Sequence, residues 1–208
     1  MYTYEYPHPA VATDIVIFTL RDQQLKLLLI KRRGKPFKGQ WALPGGFVRL
    51  EESLETAAKR ELEEETGVRD VYLEQLYTYG NLNRDPRERV ITIAYFALIA
   101  SDKIEVRADA EAVDWFTMDE IPDLAFDHQK IVKAAHQRLS AKLDYSTIAF
   151  QFMSEKFTLS ELQNVYETIL QAKVDKRNFR KWVLALERIE ETGEIKSAES
   201  HRPAKFRP

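Results

Sequence analysis

The segment from Gly46 to Val68, GFVRLEESLETAAKRELEEETGV, constrains the fold of this chain more than any other stretch. It begins at Pro44-Gly45-Gly46, a composition typical of a turn. Ser53 has the side-chain oxygen that an N-cap needs, and Gly67 stands where a helix commonly ends in a left-handed residue. The pattern therefore predicts a loop followed by a helix from about Ser53 to Thr66.

Acidic side chains are concentrated on one face of this helix. Glu61 precedes Glu64 and Glu65 by three or four positions, so the three carboxylates share a face. Each close pair repels by roughly 4 kcal/mol at 4 Å and an effective dielectric of 20, and a cation relieves that repulsion. Oxygen ligands alone favour Mg²⁺ or Mn²⁺ over zinc. Such an ion neutralises a pyrophosphate and can activate water. Arg60 can orient a glutamate through a bidentate pair, and the preceding glycines let the backbone approach the ion or the phosphate.

A solvated acidic helix, with pairs such as Arg60 and Glu64, is the alternative interpretation. Here, however, seven specified residues and two aliphatic ones stand in register, and chance produces such a match on the order of once in 10⁸ start positions. The segment resembles the signature of the Nudix family at every specified position. The resemblance implies an α/β fold, the Nudix α/β/α sandwich with a mixed sheet. It also implies attack by water on a nucleoside diphosphate linked to another moiety.

The same resemblance implies roles for individual residues. Glu61, Glu64 and Glu65 look like metal ligands, Glu52 like a supporting carboxylate and Arg60 like an orienting residue. The general base varies within the family. Its candidates are Asp109, Glu111 and Asp114, although a solvated loop is the simpler interpretation of any single one. The predicted catalytic residues are Glu52, Arg60, Glu61 and Glu64, and the predicted site for Mg²⁺ or Mn²⁺ consists of Gly46, Glu61, Glu64 and Glu65.

The loop Asn83 to Arg89, NRDPRER, is the main indication of the ligand. Arg84 and Arg87 flank an Asp-Pro turn that would present both guanidiniums to an anion, the alternative being a charged surface hairpin. A proline-bearing loop at this distance resembles the ADP-ribose-handling branch of the Nudix family. Other nucleotide sugars and oxidised nucleoside triphosphates remain alternatives. The predicted ligand-binding residues are Arg32, Arg33, Phe47, Arg84 and Arg87; Lys35 could add positive charge, and Trp41, Tyr77 and Tyr79 could stack on a base or belong to the core.

Hydrophobic patterning divides the chain into two predicted domains, residues 1–140 and 141–208. The first alternates strands with two helices, the second helix covering Asp127 to Leu143. Asp127 and His128 are interpreted as a helix N-terminus with local hydrogen bonds. The predicted strands are Ala12–Leu20, Gln24–Ile30, Trp41–Leu43, Val71–Tyr79, Val90–Ile99 and Ala112–Thr117.

The last 65 or so residues have a different pattern. A helix from Phe157 to Leu170 begins with a capping box, Thr158 with Glu161, and a second helix starts at Asp175 after a four-residue connection. A ribbon or wing around Thr192-Gly193 follows. From residue 140 onward the chain holds 12 Lys/Arg against 10 Asp/Glu, a net charge of +2. This order predicts a winged helix-turn-helix. Its predicted DNA-binding residues are Lys176, Arg177, Asn178, Arg180, Lys181, Arg202 and Lys205.

Nearly the whole chain resembles the Nudix-related transcriptional regulators of bacterial NAD and sugar metabolism. That resemblance implies a Nudix domain that senses ADP-ribose or a related nucleotide sugar. It also implies a homodimer that binds a double-stranded DNA operator. Many such regulators carry a damaged Nudix signature, whereas this one is intact, so hydrolysis of ADP-ribose to AMP and ribose 5-phosphate is expected, at least weakly. The alternatives are a Mg²⁺-dependent ADP-ribose pyrophosphatase whose C-terminal domain does not bind DNA, and a hydrolase that sanitises the nucleotide pool.

Composition excludes several other classes. The chain has no cysteine, which excludes disulfides, thiolate catalysis and cysteine-based zinc sites. Its first twenty residues contain no basic leader, and Asp14 interrupts their apolar run. We therefore expect neither a signal peptide nor a membrane span, and a cytoplasmic location.

Overall fold

The computed structural model describes residues 3–67, 69, 71–100, 112–192 and 203–206. Asp109, Glu111, Gly193 and Arg202, which carried predictions, lie outside the described residues. The elements of the first part are β1 (Ala10–Arg21), β2 (Gln24–Lys31), β3 (Trp41–Ala42), β4 (Gly45–Phe47), α1 (Leu54–Thr66), β5 (Tyr72–Tyr79), β6 (Val90–Ile99), β7 (Val113–Thr117) and α2 (His128–Leu143). A 3₁₀ helix (Ile148–Phe152) leads to β8 (Lys156–Thr158), α3 (Leu159–Leu170), α4 (Lys176–Ala185), β9 (Ile189–Glu191) and β10 (Pro203–Phe206).

The first nine elements form a mixed sheet between two helices, as the sequence predicted. The strand order is β3-β2-β1-β6-β5, with β4 paired to β1 and β7 paired to β2. β1 and β6 run parallel, and the other pairs are antiparallel. Alternate residues of β1 point to opposite faces. Ile15 and Ile17 pack with Leu62 of α1, whereas Val16 and Phe18 pack with Ile131 of α2. The predicted α/β/α sandwich is confirmed.

Two sequence predictions about local structure need correction. Pro44-Gly45-Gly46 was expected to be a turn, but only Pro44 is a bend, and Gly45–Phe47 forms β4 against Ala12–Asp14 of β1. Phe157 was expected to open a helix. It lies instead in β8, paired with Ala204, because the helix is capped one residue later at Thr158. In both places pairing with a distant strand decided the backbone conformation.

The C-terminal part is a three-stranded antiparallel sheet with two helices. The sheet order is β8-β10-β9, which provides the predicted wing. The predicted capping box is present: Thr158 Oγ1 accepts from the Glu161 amide at 3.1 Å, and Glu161 accepts from the Thr158 amide at 2.6 Å. Asp175 caps α4 by accepting from the Asn178 amide at 2.8 Å. These local signals were sufficient to identify the capping residues of both helices.

The apolar core continues from the sandwich into the C-terminal part. One cluster of buried side chains includes Ile131 and Leu139 of α2 together with Leu162 of α3 and Val183 of α4. The ring Nε2 of His136 also lies 3.2 Å from the Ile169 carbonyl oxygen, joining α2 to α3. Within the described residues, no helix combines the length and apolar character needed to cross a membrane.

Candidate functional site

Arg60 gathers the carboxylates of the glutamate-rich segment around its guanidinium. Its Nε and Nη2 donate to Glu52 at 3.0 and 2.7 Å. Its Nη1 donates to Glu61 at 2.5 Å and to Glu64 at 3.3 Å. The Arg60, Glu52 and Glu61 side chains are only 16%, 9% and 12% exposed, whereas Glu64 is 52% exposed. The structure thus brings together the four predicted catalytic residues, and their roles stay predictions.

The surroundings of two of these carboxylates shift their ionisation in opposite directions. Hydrogen bonds from Arg60, aided by the Arg49 amide, lower the pKa of Glu52 to about 2. Burial raises the pKa of Glu61, against the hydrogen bond from Arg60. The same contacts stabilise the charged form of Arg60: its hydrogen bond to Glu52 raises the pKa of the guanidinium. Glu52 therefore stays ionised as a fixed partner for Arg60, while Glu61 is the carboxylate that a positive charge must hold ionised.

Glycine at position 46 allows β4 to lie directly against Glu61. A Cβ built on Gly46 would overlap the Glu61 carboxylate, and one built on Gly45 would overlap the Thr13 carbonyl oxygen. The Glu61 carboxylate therefore lies against the Gly46 backbone without an intervening side chain, and carboxylate oxygens are ligands that suit Mg²⁺ or Mn²⁺. The space at Gly46 and the Glu61 carboxylate fit a divalent ion, and the roles of Glu64 and Glu65 as ligands stay predictions. Among the described residues, no three acidic or histidine side chains already stand in a metal-binding arrangement, and Arg60 Nη1 contacts both Glu61 and Glu64.

A cleft of about 190 Å³ opens beside β4. Four of the five predicted ligand-binding residues line it, namely Arg32, Phe47, Arg84 and Arg87. Arg33 is exposed and is not part of its lining. The other lining residues include Asp14, Leu43, Gly46, Asp85, Phe126 and His128.

Arg84 does not have the position that the sequence predicted. Its side chain is 4% exposed, and its Nη2 donates to Asp14 at 3.1 Å and to Asp127 at 2.8 Å. Two buried carboxylates from β1 and from the start of α2 neutralise this guanidinium. The Asp-Pro turn therefore presents only one of its two arginines to the opening, and Arg84 anchors the loop to the sandwich.

Arg87 and Arg32 are the cations that face the cleft. Arg87 donates twice to Asp85, from Nε at 3.0 Å and from Nη2 at 2.7 Å, and lies over the rings of Phe47 at 5.5 Å and Phe126 at 5.9 Å. Arg32 lies over Phe126 from 4.7 Å. Burial and the nearby charge of Arg87 lower the pKa of Arg32. A half-buried guanidinium held near another one favours an anionic ligand.

Asp127 and His128 lie at the N-terminus of α2 with local backbone hydrogen bonds, as the sequence suggested: the Asp127 carbonyl oxygen accepts from the Lys130 amide at 3.0 Å, and the His128 amide donates to the Ala125 carbonyl oxygen at 3.3 Å. Their side chains, however, bond to distant residues. Asp127 makes no capping bond to α2 and pairs with Arg84 instead. His128 Nδ1 accepts from the Leu43 amide at 2.9 Å, and its Nε2 lies 3.5 Å from Asp14. Burial lowers the pKa of His128 despite the carboxylate of Asp14. Both residues tie the start of α2 to the floor of the cleft.

The remaining candidates lie elsewhere. Trp41 packs edge-to-face on Phe116 at the edge of the core, with the ring centroids 4.9 Å apart. Tyr77 is 65% exposed and lies beside Tyr79, and neither tyrosine lines the cleft. Asp114 lies on β7 and accepts a hydrogen bond from the Trp115 amide at 2.8 Å. Its role as a general base stays a prediction. The sequence did not predict Phe126 as a cleft residue, because nothing in the residues around a single aromatic in a loop indicates which cavity it will line.

The exposed face of α4 is basic. Phe179 and Val183 are buried on its inner side, where Phe179 lies 5.1 Å from the Tyr166 ring. The polar residues Lys176, Arg177, Asn178, Arg180 and Lys181 are all exposed. In the part of the chain that the structure describes, no ion pair engages the four cations among them. Lys205 lies on β10, and its side chain is not described.

Comparison with known proteins identifies both parts of the chain. Residues 8–135 match the NUDIX domain, and residues 149–206 match the NrtR DNA-binding winged helix domain. The chain is similar to the ADPR responsive transcriptional repressor NtrR of Acinetobacter baylyi, with 41% identity over 97% of this chain and 82% of that protein. It is also similar to the ADP-ribose pyrophosphatase of Methanocaldococcus jannaschii, with 43% identity over 62% of this chain and 73% of that protein.

Solved structures show the same likeness. The crystal structure of Shewanella oneidensis NrtR complexed with a 27mer DNA superimposes with a TM-score of 0.85 at 37% identity, covering 95% of this chain and 94% of that one. The NUDIX domain of the same protein, complexed with ADP ribose, superimposes with a TM-score of 0.58 at 39% identity, covering 64% of this chain and 90% of that one.

Proposed function

This chain belongs to the Nudix family and carries the winged helix domain of the NrtR regulators, and on that basis we propose that it is an ADP-ribose-responsive transcriptional repressor. The observation that carries the proposal is the similarity to such a repressor over 97% of the chain, at 41% identity. The relationship spans both the ligand cleft and the basic helix. It therefore favours a regulator over a hydrolase to which an unrelated domain has been fused.

The cleft beside β4 is where ADP-ribose would bind. Arg32 and Arg87 face it, and burial together with the charge of Arg87 lowers the pKa of Arg32. A diphosphate between these guanidiniums would relieve that repulsion and accept several charge-assisted hydrogen bonds. A related Nudix domain was crystallised with ADP ribose, which supports this ligand over other nucleotide sugars.

The exposed face of α4 would bind DNA. In a winged helix-turn-helix the second helix enters the major groove, and a wing reaches the phosphates. Here α4 offers four exposed cations and Asn178, and the strands β9 and β10 form the wing. A homodimer would place two such helices on two half-sites of one operator, one helical turn or a multiple of it apart.

A mobility-shift titration tests the proposal. The wild-type protein is titrated onto DNA from its own gene neighbourhood, with and without ADP-ribose, and onto a shuffled duplex of the same length. We expect tight binding to one neighbouring region, and a change in affinity when ADP-ribose is added. By linkage, that DNA must change ADP-ribose affinity by the same factor. Equal affinity for the shuffled duplex, or no effect of ADP-ribose at saturation, would contradict the proposal.

Hydrolysis of ADP-ribose to AMP and ribose 5-phosphate is the second candidate function. It is favoured by the intact carboxylate set around Arg60 and by the similarity to an ADP-ribose pyrophosphatase. Glu61, Glu64, Glu65 and the Gly46 carbonyl would hold a divalent ion, which would supply charge neutralisation and an activated water molecule. Arg60 would keep Glu52 and Glu61 oriented. Release of AMP in the presence of Mg²⁺ tests this activity, and its absence at high enzyme concentration would exclude it.

A further inference from the structure

Thr13 is buried in β1, and its hydroxyl makes no hydrogen bond to the residues that the structure describes. Its side chain is 0% exposed. The hydroxyls of the other buried threonines in these residues all bond to backbone groups at 2.7–3.2 Å, namely those of Thr19, Thr66, Thr92 and Thr158. A valine has the same shape and would avoid the cost of burying an unsatisfied hydroxyl. A partner that is not part of the chain would explain why a hydroxyl lies here.

Strand pairing places this hydroxyl on the face of the sheet that carries Glu61. Thr13 lies directly opposite Gly46 in the antiparallel pair of β1 and β4, and the side chains of directly opposite residues share a face. A Cβ built on Gly46 would overlap the Glu61 carboxylate. Alternation along β1 agrees, because Ile15, two positions further on, packs with Leu62 of α1 on that face. Thr13 and Glu61 therefore border the same space above Gly46.

The separation of the two side chains suits an ion and one water molecule. The Cβ atoms of directly opposite residues are about 4.5–5.5 Å apart, so the Cβ of Thr13 lies within about 8 Å of the Glu61 carboxylate. An ion bound to that carboxylate, a water molecule on the ion and a hydrogen bond from the water together span about 7 Å. The Thr13 hydroxyl is therefore within reach of the hydration shell of an ion at Glu61.

The chemistry of the hydroxyl also suits this position. Mg²⁺ gives up its water molecules reluctantly and usually keeps several of them when it binds a protein. Groups beyond the direct ligands then influence how tightly the ion is held. Threonine is stiff at χ1 because it is β-branched, and Thr13 is fully buried, so its hydroxyl is ordered before the ion binds. It is also neutral, and so it accepts a hydrogen bond without changing the charge of the site.

We infer that Thr13 is a positioning residue for the divalent ion: its hydroxyl oxygen accepts a hydrogen bond from a water molecule that the ion retains when it binds Glu61. The inference rests on the divalent-ion site of the second candidate function. It adds to that site a residue from β1, outside the glutamate-rich segment. Two consecutive residues of β1 then serve opposite faces of the sheet, since Asp14 pairs with Arg84.

Calorimetric titrations of the full chain with MnCl₂ test this role. Thr13→Val removes the hydroxyl and keeps the shape of the side chain, and it should weaken Mn²⁺ binding about 10-fold. Thr13→Ser restores a hydroxyl and should bind Mn²⁺ with nearly the wild-type Kd. Glu61→Gln measures the Mn²⁺ binding that does not involve this site, and that binding is subtracted from each titration.

Urea unfolding in the presence of EDTA distinguishes this role from a structural one. Without the ion, Thr13→Val should be at least as stable as the wild type, because no hydrogen bond within the protein is lost. The matched control is Thr19→Val, a buried threonine of the same strand whose hydroxyl donates to the Ile99 carbonyl oxygen at 2.8 Å. This control should lose stability and keep the wild-type Mn²⁺ Kd.

The outcomes separate this inference from the candidate function on which it rests. If Thr13→Val binds Mn²⁺ as tightly as the wild type, the inference is overturned and the ion site stands. If Thr13→Ser binds as weakly as Thr13→Val, or if Thr13→Val is destabilised in EDTA, the side chain has a structural role and the inference is also overturned. If the wild type binds no more Mn²⁺ than Glu61→Gln does, both the ion site and the inference are wrong.

Discussion

Arg84 and Asp127 are 43 residues apart in the sequence, yet the Arg84 guanidinium donates to the Asp127 carboxylate at 2.8 Å in the interior of the protein. The same guanidinium reaches Asp14 of β1. Three segments are thereby joined at the cleft beside β4: the β5–β6 loop, the first strand and the start of α2. Because His128 at the start of α2 lines the cleft and α2 also packs on α3, this helix contacts both the cleft and the winged helix domain.

Removal of Arg84 should strongly destabilise the protein. Arg84→Ala leaves Asp14 and Asp127 without their cation in a buried site, and breaking a buried pair in this way costs about 3–5 kcal/mol. Urea unfolding measures the free energy of unfolding. Arg69→Ala is the control, because its pair with Glu63 is exposed and such pairs contribute at most about 1 kcal/mol. Equal losses of unfolding free energy in the two variants would show that the buried junction stabilises the protein no more than an exposed ion pair does.

His128 should make the stability depend on pH. Burial keeps the pKa of His128 below the ordinary value of 6.5, so around and below that value the unfolded chain binds a proton that the folded protein excludes. The free energy of unfolding should therefore fall as the pH falls from about 7.5 to about 5.5. His128→Gln should flatten this slope, whereas His136→Gln should preserve it. An unchanged slope in the His128 variant would show that other groups cause the dependence.

The basic face of α4 should account for operator binding. Arg177→Ala combined with Arg180→Ala should weaken DNA binding by about 100-fold, because each such contact contributes about 1–3 kcal/mol. ADP-ribose affinity should not change, since neither residue lines the cleft. The control, Lys38→Ala with Lys59→Ala, removes the same charge from the Nudix part. If both double variants lose DNA binding equally, only net charge matters and the assignment of α4 is wrong.

Glu64 should be required for any hydrolysis. Glu64→Gln should reduce AMP release from ADP-ribose by about 100-fold or more, because altering even an outer-shell partner of a metal ligand costs 10- to 100-fold. Glu63→Gln is the matched control, since Glu63 pairs with Arg69 rather than with Arg60. ADP-ribose binding measured without Mg²⁺ should be the same in both variants. Full turnover by the Glu64 variant would place the catalytic centre elsewhere.

Much of the fold could be predicted because its signals are local. Ser53, Thr158 and Asp175 were identified as helix starts from the residues that immediately follow them, and each accepts the expected backbone hydrogen bond. Val90–Ile99 was identified as a strand from its apolar character alone. Capping and periodicity act over a few residues, so they are visible in any stretch that contains them. The errors at Gly45–Phe47 and Phe157 arose where a distant strand supplied the hydrogen bonds.

The sequence by itself determined which chemistry the protein carries: the spacing of Arg60, Glu61 and Glu64 on one helix, with Glu52 in the loop before it, and a basic second helix in a winged unit. Helix periodicity places side chains on one face without any tertiary information. Only the tertiary structure decided which residues the ligand cleft presents. It buried Arg84 between Asp14 and Asp127, turned His128 towards Leu43, and brought Phe37 to Phe126. These contacts join residues 43 to 89 positions apart in the sequence. Burial decides whether a charge is neutralised by a partner or offered to a ligand, and burial is a property of the packed chain.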